Sequence, residues 1–311
     1  MGEIMKKLLN LIEIIIFIGV CTFVYLHFND IEILIQRYID EYTIKTRPAP
    51  NEYAKKIDYD YVQIYDKYKI YNYKDLLNVI YTTIDYGYDE VTFYCDKEYI
   101  NCINDIEVIA NPKSSELISN ISNHTSPLNS VKTILFKYNS YGKIILNVNY
   151  KYTLEERKYI VKTIDEIWNE IITPNMTTKQ IIKVFHDYII NNTKYDINFS
   201  YELEPYGESS KATGLLKHHL SVCSGYADTM GVVLDKLGLE NFRISTTNHV
   251  WNAVKLDNKY YHLDLTWDDP TTDTGKDLLL YDYYLITTDQ LKKIDKDKKH
   301  EFNPVYYQEL K

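Results

Sequence analysis

A two-residue break fixes the geometry of the C-terminal part of this chain. Asp257-Asn258 separates residues 247–256 from residues 259–270 and suits a tight hairpin turn. With those two residues as the loop, Leu256 pairs with Lys259, and Trp251 falls opposite Asp264. His249 then lies two residues diagonal to Asp264, on the same sheet face, because side chains alternate along a strand. A carboxylate so placed can fix an imidazole's tautomer and stabilise its cation.

A second stretch supplies a third group. Val222-Cys223-Ser224-Gly225-Tyr226-Ala227 opens a helix predicted to run through Met230, Val233 and Leu234 to Leu237, with Gly238 as its stop. Partial positive charge at a helix start favours thiolate over thiol, so Cys223 is a candidate nucleophile. If the helix packs on the hairpin face, a thiol, a base and an orienting acid converge. Taken singly, Cys223 reads as a small core residue, His249 as a satisfied core histidine and Asp264 as a strand-end carboxylate. The order Cys, His, Asp, with a hairpin joining the last two, turns the reading toward catalysis. Elsewhere, His218-His219 reads as surface and His262 as structural, while Trp251 and Trp267 read as core and cleft wall. Asp268-Asp269-Pro270 reads as a turn, because a calcium loop needs further ordered carboxylates. No metal and no cofactor is expected.

At 311 residues the chain is comfortable for two domains. Hydrophobic residues at 45% and charged residues at 25% exclude bulk disorder. A net charge of -9 gives no electrostatic reason to track nucleic acid, and none is expected as a partner. The 32 tyrosines accompany abundant Ile, Lys and Asn, which share A/T-rich codons; a low-GC genome accounts for them better than a tyrosine-rich binding face. Four cysteines without a C-x-x-C pattern exclude a disulfide scaffold and a structural zinc site. Cys95 and Cys102 remain as a possible pair if that region lies outside the cell; two independent buried thiols are the alternative.

Residues 8–26 are mostly apolar, with Asn10 and Glu13 as interruptions. At about 1.5 Å per residue the run nearly matches a hydrocarbon core of roughly 30 Å. Lys6 and Lys7 precede it and no small-x-small cleavage site follows. Ile18-Gly19-Val20-Cys21 departs from a lipoprotein box at Val20. The expectation is an uncleaved single-pass anchor in the cell membrane, with the main domains extracytoplasmic. A cleaved signal and a buried soluble helix are the alternatives. Residues 1–50 then comprise the anchor, a stalk helix over 31–42 and a linker over 47–51. Residues 51–150 read as a small α/β domain, with a helix at 74–84, a strand at 90–94, a turn at 139–142 and a strand at 143–150. Residues 151–311 open on the capping pattern Thr153-Leu154-Glu155-Glu156. A helix to about residue 172 follows, with Ile160, Ile164, Ile167 and Trp168 on its apolar side, then a second helix at 178–191.

Val-Cys-Ser-Gly-Tyr-Ala at 222–227, His-Val-Trp-Asn at 249–252 and Tyr-His-Leu-Asp-Leu-Thr-Trp-Asp-Asp-Pro at 261–270 together resemble the transglutaminase-like superfamily in its bacterial branch. His186-Asp187-Tyr188-Ile189 with Thr193-Lys194-Tyr195-Asp196, and Asp282-Tyr283-Tyr284-Leu285, are similar to its flanking segments. The resemblance covers about residues 153–300. It implies an α+β fold class: a papain-like transglutaminase core, here preceded by the small α/β domain and the N-terminal transmembrane helix. It implies Cys223 as nucleophile, His249 as base and Asp264 as orienting acid. The activity implied is thiol-dependent acyl transfer or hydrolysis on protein or peptide amide groups at the cell envelope, with cell-wall peptide among the candidate substrates. A cysteine peptidase or amidase, and a non-catalytic envelope interaction module retaining the fold, are the alternatives. Two departures stand out. Val250 replaces a common Ala, and the family's upstream oxyanion helper has no counterpart: position 217 is Lys, and no Trp lies between 169 and 250. The second oxyanion donor is expected from a loop or from Tyr195.

Overall fold

The computed structural model describes residues 2–28, 31, 59–111, 115–271 and 278–310. Helix α1 (Gly2–Leu26) leads the chain and corrects the expectation of a transmembrane anchor. Among the described residues no helix is long and apolar enough to cross a membrane. Asn10 and Glu13 lie within α1, so its stretch free of both runs from residue 14 to 26. That stretch covers about 20 Å, against roughly 30 Å of hydrocarbon. A carboxylate at the centre of a span would cost about 2.5–3.5 kcal/mol. The expected linker over 47–51 lies outside the described residues, as does the stalk over 31–42 apart from residue 31.

Residues 59–150 fold around a four-stranded sheet in the order β1-β2-β4-β3. β1 (Lys69–Ile70) pairs parallel with β2 (Glu90–Cys95). β4 (Lys143–Tyr150) runs antiparallel to both β2 and β3 (Val131–Tyr138). The β3–β4 turn needs Gly142, whose φ of +79° L side chains rarely adopt. Helix α2 (Tyr73–Asp85) starts where the Asn72 side chain accepts from the Asp75 N–H. Its Leu76, Val79, Ile80 and Ile84 share an apolar core with Val91, Phe93, Ile144 and Leu146 of the sheet. The chain turns back after β2 through hydrogen bonds from Tyr99 N–H to the Asp96 carbonyl and from Cys102 N–H to the Tyr99 carbonyl. That reversal brings the Cys95 and Cys102 Cα atoms to 6.0 Å, and a disulfide joins them. Helices α3 (Cys102–Ala110) and α4 (Ser115–Asn123) follow.

The remainder is built on one buried helix. α5 (Leu154–Ile171) begins at the predicted capping box between Thr153 and Glu156, and α6 (Thr178–Asn191) at a second one between Thr177 and Gln180. Short strands β5 (Lys194–Tyr195) and β6 (Leu220–Ser221) pair in parallel around α7 (Ala212–His218). α8 (Cys223–Lys236) comes next, then the antiparallel sheet β7 (Asn241–Ser245), β8 (Val250–Leu256) and β9 (Lys259–Leu263). Tyr226, Met230, Val233 and Leu234 of α8 pack among Ile160 and Ile164 of α5, Phe185 and Ile189 of α6, and Val254 and Leu256 of β8. With helices segregated from largely antiparallel sheets, the architecture is α+β.

A buried charge network ties α8 to residues 122–152. Asp228 accepts hydrogen bonds from Lys151 Nζ, Tyr152 Oη and Arg243 Nη1, each at 2.6 Å. Arg243 also donates to Ser130 Oγ and, at 2.7 Å, to the Ser122 carbonyl. Burial alone would push the Asp228 carboxyl up; the charges of Lys151 and Arg243 outweigh it and hold it below its ordinary value. A buried charge stripped of its partner is far costlier than the intact pair. Arg243→Met should therefore lower unfolding stability by about 3–5 kcal/mol, read from urea denaturation; a loss under 1 kcal/mol would show the network to be dispensable. Mass spectrometry of the non-reduced protein should find Cys95 and Cys102 linked. Reducing that short loop should cost about 2–3 kcal/mol, and an unchanged unfolding midpoint after reduction would contradict it.

Candidate active site

The hairpin forms in the predicted register. Leu256 pairs with Lys259, and Asp257 and Asn258 take φ of 51° and 62°, the left-handed pair of a type I′ turn. The chain leaves the sheet at Asp264, which caps the short helix α9 (Leu265–Asp268). Asp264 Oδ1 accepts from the Thr266 and Trp267 N–H groups at 3.0 and 3.3 Å. Its Oδ2 accepts from His249 Nε2 at 2.5 Å and from His300 Nε2 at 2.8 Å. The His249 ring stacks on Trp251, with centroids 5.5 Å apart.

Cys223 is the first residue of α8. The N–H groups of Gly225 and Tyr226 both return to the Val222 carbonyl, and the first amides of the helix have no partner within it. Gly225 lets this turn sit close to the preceding chain: a Cβ there would stand 2.9 Å from the Lys211 carbonyl oxygen. Cys223 is only 4% exposed. The His249 imidazole and the Val250 N–H lie close enough to the sulfur to favour its anion. With Nε2 on Asp264, Nδ1 is the ring nitrogen left for Sγ. Tyr201 Oη lies 3.7 Å from Sγ and 3.0 Å from Ser224 Oγ.

The three groups shift one another in opposite directions. Burial pushes the Cys223 thiol up, but the polar contact and positive charge of His249 outweigh it, and the net direction is down. Burial pushes His249 down, yet the Asp264 charge prevails and the imidazole rises to about 10. Burial pushes Asp264 up, and His249 and His300 together hold it well below the usual carboxylate range. These directions favour a thiolate beside an imidazolium oriented by an ionised carboxylate, the state suited to attack on a carbonyl and protonation of its leaving group.

Cys223, His249 and Asp264, predicted as one group, lie at one place. His262 is structural, as predicted: its Nδ1 accepts from Trp251 Nε1 and its Nε2 bonds Thr288 Oγ1, both at 3.0 Å. Burial pushes it down to about 3, so it stays neutral. His218 and His219 are exposed. Asp268 departs from the turn reading. It is buried and bonds His186 Nε2 at 3.1 Å, tying α6 to the segment around Tyr283, whose N–H it accepts at 2.9 Å. Tyr201, not Tyr195, places a hydroxyl on Sγ. Sequence reasoning missed two residues. Tyr201 was hidden among 32 tyrosines, and His300 stands in a basic surface-like run that gives no hint of burial. His249, Asp264 and His300 offer ligand atoms within 4.8 Å of one another, a span a metal ion could occupy. The same atoms make the two His–Asp hydrogen bonds.

No family model and no curated protein matches the chain. Among solved structures it is similar to the crystal structure of a TGase, at 15% identity and a TM-score of 0.32, over 69% of this chain and 58% of that one. The chain therefore spans less than two thirds of that structure's length. A likeness at this level fixes neither fold nor function.

The lowered thiol gives a direct test. Cys21 is exposed and Cys223 buried, so access alone favours Cys21. Iodoacetamide should nevertheless label Cys223 about tenfold faster near pH 6.5, where an ordinary thiol of pKa about 8.5 is largely protonated. The rate should fall only as the pH drops through the lowered value. His249→Ala should abolish the advantage and Asp264→Ala should weaken it. A Cys223 that titrates near 8.5, indifferent to His249→Ala, would mean the groups are uncoupled.

Proposed function

We propose that the chain is a thiol-dependent acyl-transfer enzyme acting on carboxamide or peptide carbonyls. Cys223 is the nucleophile, His249 the acid and base, and Asp264 the orienting acid. The observation that carries this reading is the His249–Asp264 hydrogen bond, with the Cys223 thiol at a helix start in electrostatic contact with that imidazole. The Sγ thiolate attacks the carbonyl carbon, and the carbonyl π pair moves onto oxygen. As the tetrahedral adduct collapses, the C–N bond breaks and the His249 imidazolium protonates the departing amine. His249 then takes a proton from water or an incoming amine, which attacks the thioester and restores the thiolate. Transfer and hydrolysis differ only in that second acceptor. The Cys95–Cys102 disulfide supports an oxidising compartment such as the cell envelope.

Incubating the protein with a glutamine-containing peptide and dansylcadaverine separates the outcomes. Dansyl incorporation reports transfer, ammonia release without incorporation reports amide hydrolysis, and backbone cleavage reports a peptidase. Cys223→Ala should abolish whichever product forms, and His249→Ala should lower its rate at least about 10²-fold. If no product and no Cys223 thioester appear across a peptide library, while the labelling advantage of Cys223 persists, the reading fails in favour of a non-catalytic interaction module.

A further inference from the structure

Attack at Cys223 places a negatively charged oxygen beside Sγ, and such an oxygen needs donors at about 2.7–3.1 Å. The start of α8 supplies backbone N–H groups. Among side chains, Lys217 is exposed on α7 and is not a contact of the sulfur. We infer that Tyr201 is a further catalytic residue, its hydroxyl being the side-chain donor to this oxyanion; the assignment rests on the acyl-transfer reading above.

The hydroxyl is already on the reacting atom, 3.7 Å from Sγ. It reaches there from the irregular segment between β5 and α7, with its ring set edge-on to Phe199 at a centroid distance of 4.8 Å. Counting protons gives the direction of its second bond. Ser224 Oγ has one proton and donates it to the Ser210 carbonyl at 2.8 Å. The phenol is therefore the only donor for both of its contacts, Ser224 Oγ at 3.0 Å and the Sγ thiolate at 3.7 Å. In the free protein that proton is shared between a neutral hydroxyl oxygen and a long contact to the sulfur, whose negative charge is lost once the Sγ–C bond forms. An oxyanion forming next to Sγ is a much stronger acceptor, so the same O–H turns to it without breaking into the helix. Burial, and then the charge of Cys223, push the phenol well above its ordinary range. Tyr201 thus keeps its proton throughout, donating a hydrogen bond and transferring nothing.

Two reactions at one sulfur test this. With p-nitrophenyl acetate, the Sγ–C bond forms, an oxyanion appears, and the C–O bond breaks as p-nitrophenolate leaves with its electron pair. With iodoacetamide, the Sγ–C bond forms as iodide leaves, and no oxyanion exists. At pH 8, Tyr201→Phe should slow acetylation of Cys223 about 10²–10³-fold while changing its alkylation by less than about threefold. Intact alkylation also shows that the variant is folded. Tyr195→Phe should leave both rates within about threefold of the parent. Equal losses in both reactions for Tyr201→Phe, no loss in either, or the selective loss falling on Tyr195→Phe would overturn the assignment. A parent protein whose Cys223 alkylates rapidly but never acetylates would instead overturn the acyl-transfer reading, and the assignment with it.

Discussion

One carboxylate organises the site. Asp264 is buried, and its two oxygens take four N–H donors: two backbone amides on Oδ1, two imidazoles on Oδ2. A lone carboxylate so deep would be prohibitively costly, whereas one with this many donors is stable and immobile. Through it the end of the hairpin, the short helix after it and the C-terminal segment carrying His300 meet at one point. His249 inherits its orientation from that anchor. His300 is itself wedged among Trp251, Trp267 and Tyr283, so packing holds this second imidazole on the anchor.

The thiol arrives by a different route. α8 is positioned by Asp228 and Arg243, five and twenty residues beyond Cys223 along the chain, and by apolar packing on both sides. Its first turn is then set against the hairpin without any strand pairing between the two. The half of the site that holds the acid and base is a local structure; the half that holds the nucleophile depends on the whole core.

That division explains what could be read from the sequence. The His–Asp relation was legible because Asp257-Asn258 fixes a hairpin register, and a register fixes which side chains share a face. The helix starts at Thr153 and Thr177 were likewise local, written in a cap and its partner three residues on. His300 lies 36 residues beyond Asp264 and reaches it only through tertiary folding. Asp268 looked like a turn residue because it precedes Asp-Pro; its burial against His186 depends on α6, 82 residues earlier. The pairing of Cys95 with Cys102 turned on the path of six intervening residues, which periodicity does not specify. The N-terminal run misled because hydrophobic length was weighed above the position of Glu13 inside it.

The Asp228–Arg243 network also restricts where this chain can be divided. The three proposed catalytic residues all lie beyond residue 222, so a fragment beginning near residue 151 would look self-sufficient by motif. Such a fragment would keep Asp228, Lys151 and Arg243 but lose Ser122 and Ser130, leaving a guanidinium at a freshly opened seam without two of its acceptors. It would also lose the amide of Asn123, which donates to Tyr307 Oη and Ser245 Oγ. In recombination, natural or engineered, a cut near 151 therefore breaks contacts on both sides, and the residues around Ser122–Ser130 travel with the proposed site although they take no part in it.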